Sequence, residues 1–405
     1  MRIVVKYFLI TLGMVSAFSL HAWLPIPLFL GIVGLLLLLV IGIKKNYKII
    51  FNKEDLFLVL LLLIVFTSLT LNDISRTNIN HAMAFFMVLF VYYFGVRSLI
   101  FNLKLEMKFI NKAIFIGVII SSLYAIFEFS TKNYIPSLSF VNEYIYRPAV
   151  QDYTPLYNGS IIRARSFTEE SGVFALYLNA FAPVGLLYVK ERYKTLKFYF
   201  LVFLVAISYL FSFSAGGIGF LLSSIFLCGL LWLVNNAKNL RVNIKKASIF
   251  FYVTLVFIII ISMYINQIIS FLYPLLDKIT LENDSGRFAR WQMALSLFKD
   301  ANWFQYFIGV GPGQVSEVFG TGTTSFYIDR LVENGVFGLA CFLAFISMIY
   351  MKLNKLQTNR KYVYFISLTS VLLHYFIISN YWFPFLWIII IIIQLESWKG
   401  KVENV

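Results

Sequence analysis

Charge is what this chain has least of. Only 13% of its 405 residues are Asp, Glu, Lys or Arg, against 60% that are hydrophobic, and so few polar side chains cannot wet the surface of a soluble globule this size. Cysteine is nearly absent. Cys228 and Cys341 both fall inside apolar stretches, which excludes a disulfide framework and a thiolate metal site and leaves plain packing. Histidine is as scarce, with His21, His81 and His374 the three present, and no cluster of His or paired Asp points to a metal. The expectation is therefore no metal and no cofactor.

What is there in quantity is apolar sequence, in runs of roughly the ~20 residues a helix needs to cross a bilayer. They fall near 5–22, 24–43, 56–71, 82–100, 110–128, 172–189, 197–214, 216–234, 248–268, 335–351, 362–379 and 384–396. The fold class expected is an all-α polytopic membrane protein of about twelve transmembrane helices, a single integral membrane domain over residues 1–405. Two large connections stand out, 129–171 and 269–334. The first run has a basic start like a signal peptide, but no small-residue cleavage site precedes Trp23, so it is read as a helix.

Lys and Arg orient the bundle. The short connections and ends at 1–6, 44–53, 97–112, 190–197, 238–246, 352–361 and 399–401 hold 24 of the 34 basic residues, and such segments stay in the cytoplasm. Both termini are then cytoplasmic, and both large loops face outward. The net charge of +15 belongs to the cytoplasmic face, which explains the basicity as topology and speaks against nucleic acid as a partner. The two faces also differ in kind: 19 Lys and 5 Arg inside, 3 Lys and 7 Arg outside. Lysine suffices to anchor a loop, whereas arginine is suited to gripping a phosphate or carboxylate in a planar fork. Arg97 and Glu128 lie near helix ends, within reach of head groups. His374 reads as a hydrogen-bonded helix contact.

Two outer stretches concentrate these arginines. In Glu282–Gly338, Asp284 and Ser285 are suitable caps for a helix whose apolar stripe would be Phe288, Trp291, Leu295 and Phe298. That places Arg287 and Arg290 one turn apart at its amino end, a site fitted to phosphate or pyrophosphate. The Gly309-Val-Gly-Pro-Gly313 run lacks the Gly-Lys-Ser/Thr ending of a P-loop and is read as a backbone turn. In the first loop, Arg163-Ala-Arg-Ser-Phe-Thr-Glu-Glu170 puts two guanidiniums and two carboxylates where the chain enters the membrane. Tyr134, Tyr144, Tyr146, Tyr153 and Tyr157 upstream offer rings on which sugars stack or an ordinary interfacial belt.

Arg165-Ser-Phe-Thr-Glu169 with Ser171, Phe174 and Ala175 resembles the R-S-F-x-E-P-S-x-F-A element of bacterial O-antigen and capsule repeat-unit polymerases. Ser285-Gly-Arg287 with Trp291, Gly309-Val-Gly-Pro-Gly313, and Leu331-Val-Glu-Asn-Gly335 resemble the later S-G-R, G-x-G-x-G and E-x-G elements of the same superfamily, which includes O-antigen ligases. Two departures stand out. Glu170 replaces the usual proline, and Thr324 and Ser325 stand where ligases carry a histidine, which favours polymerase over ligase.

The resemblance implies a glycosyltransferase-C-like architecture in the bacterial plasma (inner) membrane, with the active site on its outer face. It implies a metal-independent glycosyltransferase that moves a growing glycan from undecaprenyl pyrophosphate to the non-reducing end of a lipid-linked repeat unit. Membrane lipid and a chain-length regulator are the other partners implied. In that reaction Arg165 and Arg287 neutralise the leaving pyrophosphate with Arg163 and Arg290, and Glu169 or Glu170 orients or deprotonates the acceptor hydroxyl. Arg330 and Tyr327 complete the expected substrate-binding set, with Arg330 and Glu333 also suited to bracing the loop. Ligation of finished glycan to a lipid or protein acceptor, and flipping of lipid-linked glycan, are the competing functions.

Overall fold

The computed structural model describes residues 1–19, 21, 24–72, 74–145, 155–156, 161–193, 195–236, 286–356 and 358–402. Long helices dominate: α1 (Arg2–Ile10), α2 (Ile26–Lys45), α3 (Asp55–Leu71), α4 (Arg76–Asn102), α5 (Met107–Asn133), α6 (Ser171–Arg192), α7 (Thr195–Ser212) and α8 (Ala215–Asn236). After them come three short helices, α9 (Arg287–Lys299), α10 (Trp303–Ile308) and α11 (Gln314–Phe319). The chain closes with α12 (Phe326–Asn354), α13 (Arg360–His374) and α14 (Phe385–Val402). A two-stranded antiparallel ribbon, β1 (Pro155–Leu156) with β2 (Ile161–Ile162), lies in the first large loop.

Among the described residues seven helices, α2, α4 to α8 and α12, are long and apolar enough to cross a bilayer, and α3 and α14 carry shorter apolar stretches. The protein is an all-α polytopic membrane protein. Of the twelve expected runs, 248–268 lies outside the described residues, and the others coincide with helices whose ends shift. The first run is cut short. One tight turn, Thr11–Gly13, follows α1, and twelve helical residues reach only about 18 Å, less than the ~30 Å hydrocarbon core. The chain leaves the helix there so that the Ser16 and Ala17 N–H groups can both bond the Phe167 carbonyl, each at 3.2 Å.

The run expected at 335–351 begins nine residues early, at Phe326, and is broken at Gly335 (φ 67°, ψ −173°). The break has a partner. Gly309 (φ 89°) packs its backbone against Glu333 and Asn334, and Gly335 packs against Phe307 and Gly309. Val310 N–H then bonds Val332 O (3.0 Å) and Gly311 N–H bonds Glu333 O (3.3 Å). A Cβ at either Gly309 or Gly335 would overlap the opposing carbonyl, so the two glycines weld the second large loop onto α12. Ser68 of α3 donates to the carbonyl of Gly309 or Glu333 (3.1 Å to each).

Connections gather at two ends. The Ser16 segment, the α3–α4 turn, residues 161–170, the α7–α8 turn, residues 300–325 and the α13–α14 turn meet at one, which we call the loop end. Its ties include Ala164 N–H to Phe211 O (2.9 Å), Gln305 Nε2 to Asn72 Oδ1 (2.7 Å), and Tyr381 Oη to His81 O (3.1 Å). At the opposite end Arg360 pairs with Glu191 (2.8 Å) and Glu396 (3.1 Å), and Lys48 is tied to Asn102 (3.1 Å). This alternation matches the one predicted from the basic residues.

The expectation that Arg97 and Glu128 reach head groups is corrected, because both are fully buried. Arg97 makes a two-pronged bond to Asp55 (2.6 and 2.9 Å), with Tyr93 (2.8 Å), Gln394 (3.2 Å) and the Ile50 carbonyl (2.6 Å) as further partners. Glu54, paired with Lys352, accepts from Gln394 (2.7 Å). A buried guanidinium needs this density of partners to offset its desolvation. The π-helical stretch Val88–Gly95 within α4 carries Tyr93, one of those partners, into the network.

Candidate functional site

Residues 161–170 form a tight, buried loop organised by one carboxylate. Glu128, on α5, accepts from the backbone N–H groups of Arg165 (2.9 Å) and Ser166 (2.8 Å) and lies 3.9 Å from Arg165 Nε and 3.7 Å from Lys132 Nζ. Ser166 takes the left-handed backbone conformation (φ 52°), and its hydroxyl donates to Ser121 O (2.8 Å). The Phe167 ring stacks on Tyr124 at 4.3 Å. Arg165 is thereby turned inward: it is 3% exposed and donates to the Glu169 carbonyl (3.2 Å). Arg163, half-buried, and Glu170, exposed, lie on the loop's outer side.

The second segment is built around a small core of Ala294, Val310, Val315 and Val332, with Leu297, Phe298, Phe319 and Ile328 against it. Helix α9 therefore presents Ala294, Leu297 and Phe298 inward, and the expected stripe is rotated: Phe288 is 60% exposed. The expected caps Asp284 and Ser285 lie outside the described residues, and the N-cap position is Gly286, in the left-handed conformation (φ 70°). Arg287 and Arg290 are both half-buried. Gly309, Gly311 and Gly313 all have positive φ, as a backbone turn requires. Asn78 fixes that turn by donating to Pro312 O (2.8 Å) and Gln314 Oε1 (3.0 Å).

The two segments converge electrostatically. Burial lowers the Arg163 guanidinium's proton affinity from its ordinary value; Glu170 opposes the shift, and the positive charge of Arg287 adds to it. Arg287 also acts on His374, at the end of α13. Among the described residues neither Arg163 nor Arg290 has a hydrogen-bond or ion-pair partner for its guanidinium. Half-buried guanidiniums that act on one another form a site suited to a multiply charged anion. Glu169 is held beside this group by Asn380 Nδ2 (2.6 Å), from the α13–α14 turn.

Arg330 and Tyr327 sit in the bundle wall. Arg330 donates to Asn334 (2.6 Å) and Glu333 (3.0 Å), with the faces of Phe85, Phe326 and Tyr381 about it at 5.3, 5.4 and 4.8 Å. The Tyr327 hydroxyl donates to Leu372 O (2.8 Å). The structure thus gathers Arg163, Glu170 and Arg287 directly and places Glu169 through Asn380. Glu128 and Asn380 carry much of this geometry and were not singled out from sequence as site residues, since neither belongs to an arginine-rich motif.

Fold and site together define a class: a polytopic membrane protein whose bundle carries loop arginines at one end together with the carboxylates Glu169 and Glu170. Residues 200–343 match the family model described as O-antigen ligase, and that match supports membership of the O-antigen polymerase/ligase superfamily. It includes Arg287, Arg290, Arg330 and the glycine turn, but stops short of residues 161–170. No curated protein matches the chain.

Proposed function

We propose that the chain is a polysaccharide polymerase which transfers a growing glycan from a polyprenyl pyrophosphate carrier to the acceptor end of a lipid-linked repeat unit. It does so on the outer face of the plasma membrane, where the loop end would lie. What supports this reading is that the loop bearing Arg163 and the segment bearing Arg287 both belong to the loop end, where the charge of Arg287 acts on Arg163 and no carboxylate is in ion-pair contact with Arg163 among the described residues. Pyrophosphate is already a good leaving group, so the protein's task is to neutralise developing charge and to hold the acceptor in line. Arg163, Arg287 and Arg290 grip the diphosphate. Arg165, buried between Glu128 and the Glu169 carbonyl, positions the loop rather than touching substrate. Glu169, oriented by Asn380, takes the proton of the attacking hydroxyl as the C–O bond to the carrier phosphate breaks. The pyrophosphate departs on its lipid.

Ligation is the second reading, because the matched family model bears that description. Surface polysaccharide from cells lacking the protein separates the two. Single repeat units in place of chains support polymerisation, whereas full-length chains accumulating on the carrier support ligation. Matched expression of Arg163→Ala and Arg287→Ala tests the site, and long chains retained by both variants would overturn it.

A further inference from the structure

His374 is fully buried at the loop end of α13, and four helices converge to fix its ring. Asn179 of α6 is the hub. It accepts on Oδ1 from the Tyr209 hydroxyl of α7 (2.7 Å), and its Nδ2 donates to the Gly217 carbonyl at the start of α8 (3.2 Å). The same Nδ2 lies 3.2 Å from His374 Nδ1. Ser370 donates to the Asn179 carbonyl (3.2 Å).

The tautomer follows from this chain of bonds. A carbonyl only accepts, so the side of Asn179 that faces Gly217 must be its NH2 group, and the hydroxyl on Oδ1 agrees. The other N–H of that group then meets His374 Nδ1, which must accept. In the neutral ring the proton is left on Nε2, and among the described residues Nε2 has no hydrogen-bond partner. A buried donor without an acceptor is costly unless a ligand supplies one. At the start of α8, Gly217 packs closely on Ala175 of α6, where a Cβ would overlap. The charge of Arg287 acts on this ring.

We propose that the Nε2–H of His374 donates a hydrogen bond to a phosphoryl oxygen of the lipid-linked diphosphate held by Arg287. This rests on the pyrophosphate-binding reading above and deepens it. Because its free nitrogen already carries the proton, His374 is a binding donor, and the proton of the acceptor hydroxyl goes elsewhere, to Glu169.

The test is calorimetric titration of the purified full-length chain with farnesyl pyrophosphate. His374→Asn keeps an acceptor for Asn179 but deletes the Nε2 donor, whereas His374→Gln restores an N–H near the Nε2 position. The expected result is about tenfold or more weaker binding for His374→Asn with an unchanged melting temperature, and recovery to within about threefold for His374→Gln. Equal binding by His374→Asn and wild type, or a Gln variant as weak as Asn, overturns the inference. Arg287→Ala serves as the control for the underlying reading: wild type that does not bind, or an Arg287→Ala variant that binds equally well, sinks that reading instead. Should either His374 variant fail to fold, the wild type itself decides. With three histidines in the sequence, 15N-histidine labelling gives three rings to follow. The Nε2–H signal of the ring with an accepting Nδ1 is expected to shift on ligand addition, and three unmoved rings at saturation overturn the proposal.

Discussion

Glu128 receives the backbone N–H groups of Arg165 at 2.9 Å and of its neighbour Ser166 at 2.8 Å, so a carboxylate on a helix acts as the cap of a loop that has no regular structure. Arg165 also approaches it with its side chain. Both N–H groups fall on Oε2, so Glu128→Gln can keep an acceptor there but loses the charge that Arg165 and Lys132 approach at Oε1. Breaking a buried, charge-assisted arrangement of this kind costs about 3–5 kcal/mol. The expected outcome is a melting temperature lowered by several degrees and loss of polymer. Arg165→Lys, by contrast, should keep the fold partly intact, because the Arg165 backbone bond survives. Thermal melts in detergent distinguish the two, and an unchanged melt for Glu128→Gln would refute the capping role.

The anion site makes a different prediction, about additivity. The charge of Arg287 acts against that of Arg163, so removing either lessens like-charge repulsion while weakening the binding of a diphosphate. Arg163→Ala and Arg287→Ala are each expected to leave the melting temperature equal to wild type or slightly higher and to reduce polymer synthesis about 100-fold. Arg287→Lys should fall well short of wild type, since it retains charge without the fork. The readout is chain length by gel against the melting temperature of the same preparations, and a variant with both lowered equally would point to structure rather than to binding.

The fold was legible where hydrophobicity speaks alone. Among the described residues the apolar runs become helices, because helix formation of this kind depends on hydrophobicity averaged over ~20 residues. What stayed hidden depended on single contacts. Nothing local to Phe326–Asn334 marks it as helix joined to the next span, since the break at Gly335 exists to receive Gly309 from 26 positions earlier. The stripe on α9 was misplaced by part of a turn because Val310, Val315 and Val332 decide which face is inward. For the candidate site, arginine enrichment singled out the two loop segments. It could not show that Arg165 faces in and Arg163 out, which Glu128 determines from across the bundle.

Gly309 and Gly335 supply a test of that weld. Alanine at Gly309 would force a side chain onto the Glu333 carbonyl at φ 89°, combining backbone strain with overlap at a cost of about 3 kcal/mol or more. Gly320, also at positive φ (70°), has open space around it, so Gly320→Ala carries the conformational penalty alone, of order 1 kcal/mol. The difference between the two melts isolates the close approach. Equal destabilisation would mean that the loop does not pack on α12 as described.

The two adjacent carboxylates should separate by function. Glu169 is half-buried and takes the Asn380 amide at 2.6 Å, which orients its carboxylate. Glu170 is exposed and acts on Arg163 through its charge. Glu169→Gln keeps the shape but loses the base, and is expected to reduce transfer by about 100-fold, within the range for a general base, with donor binding unchanged. Asn380→Ala should give a smaller loss, about tenfold, because the carboxylate remains but wanders. Glu170→Gln removes a negative charge that acts on Arg163 and is expected to tighten pyrophosphate binding slightly while leaving transfer within about threefold. Measuring donor affinity and chain synthesis side by side in the three variants settles the assignment: if Glu170→Gln abolishes synthesis and Glu169→Gln does not, the proton passes to Glu170, and the Asn380 contact serves only to hold the loop.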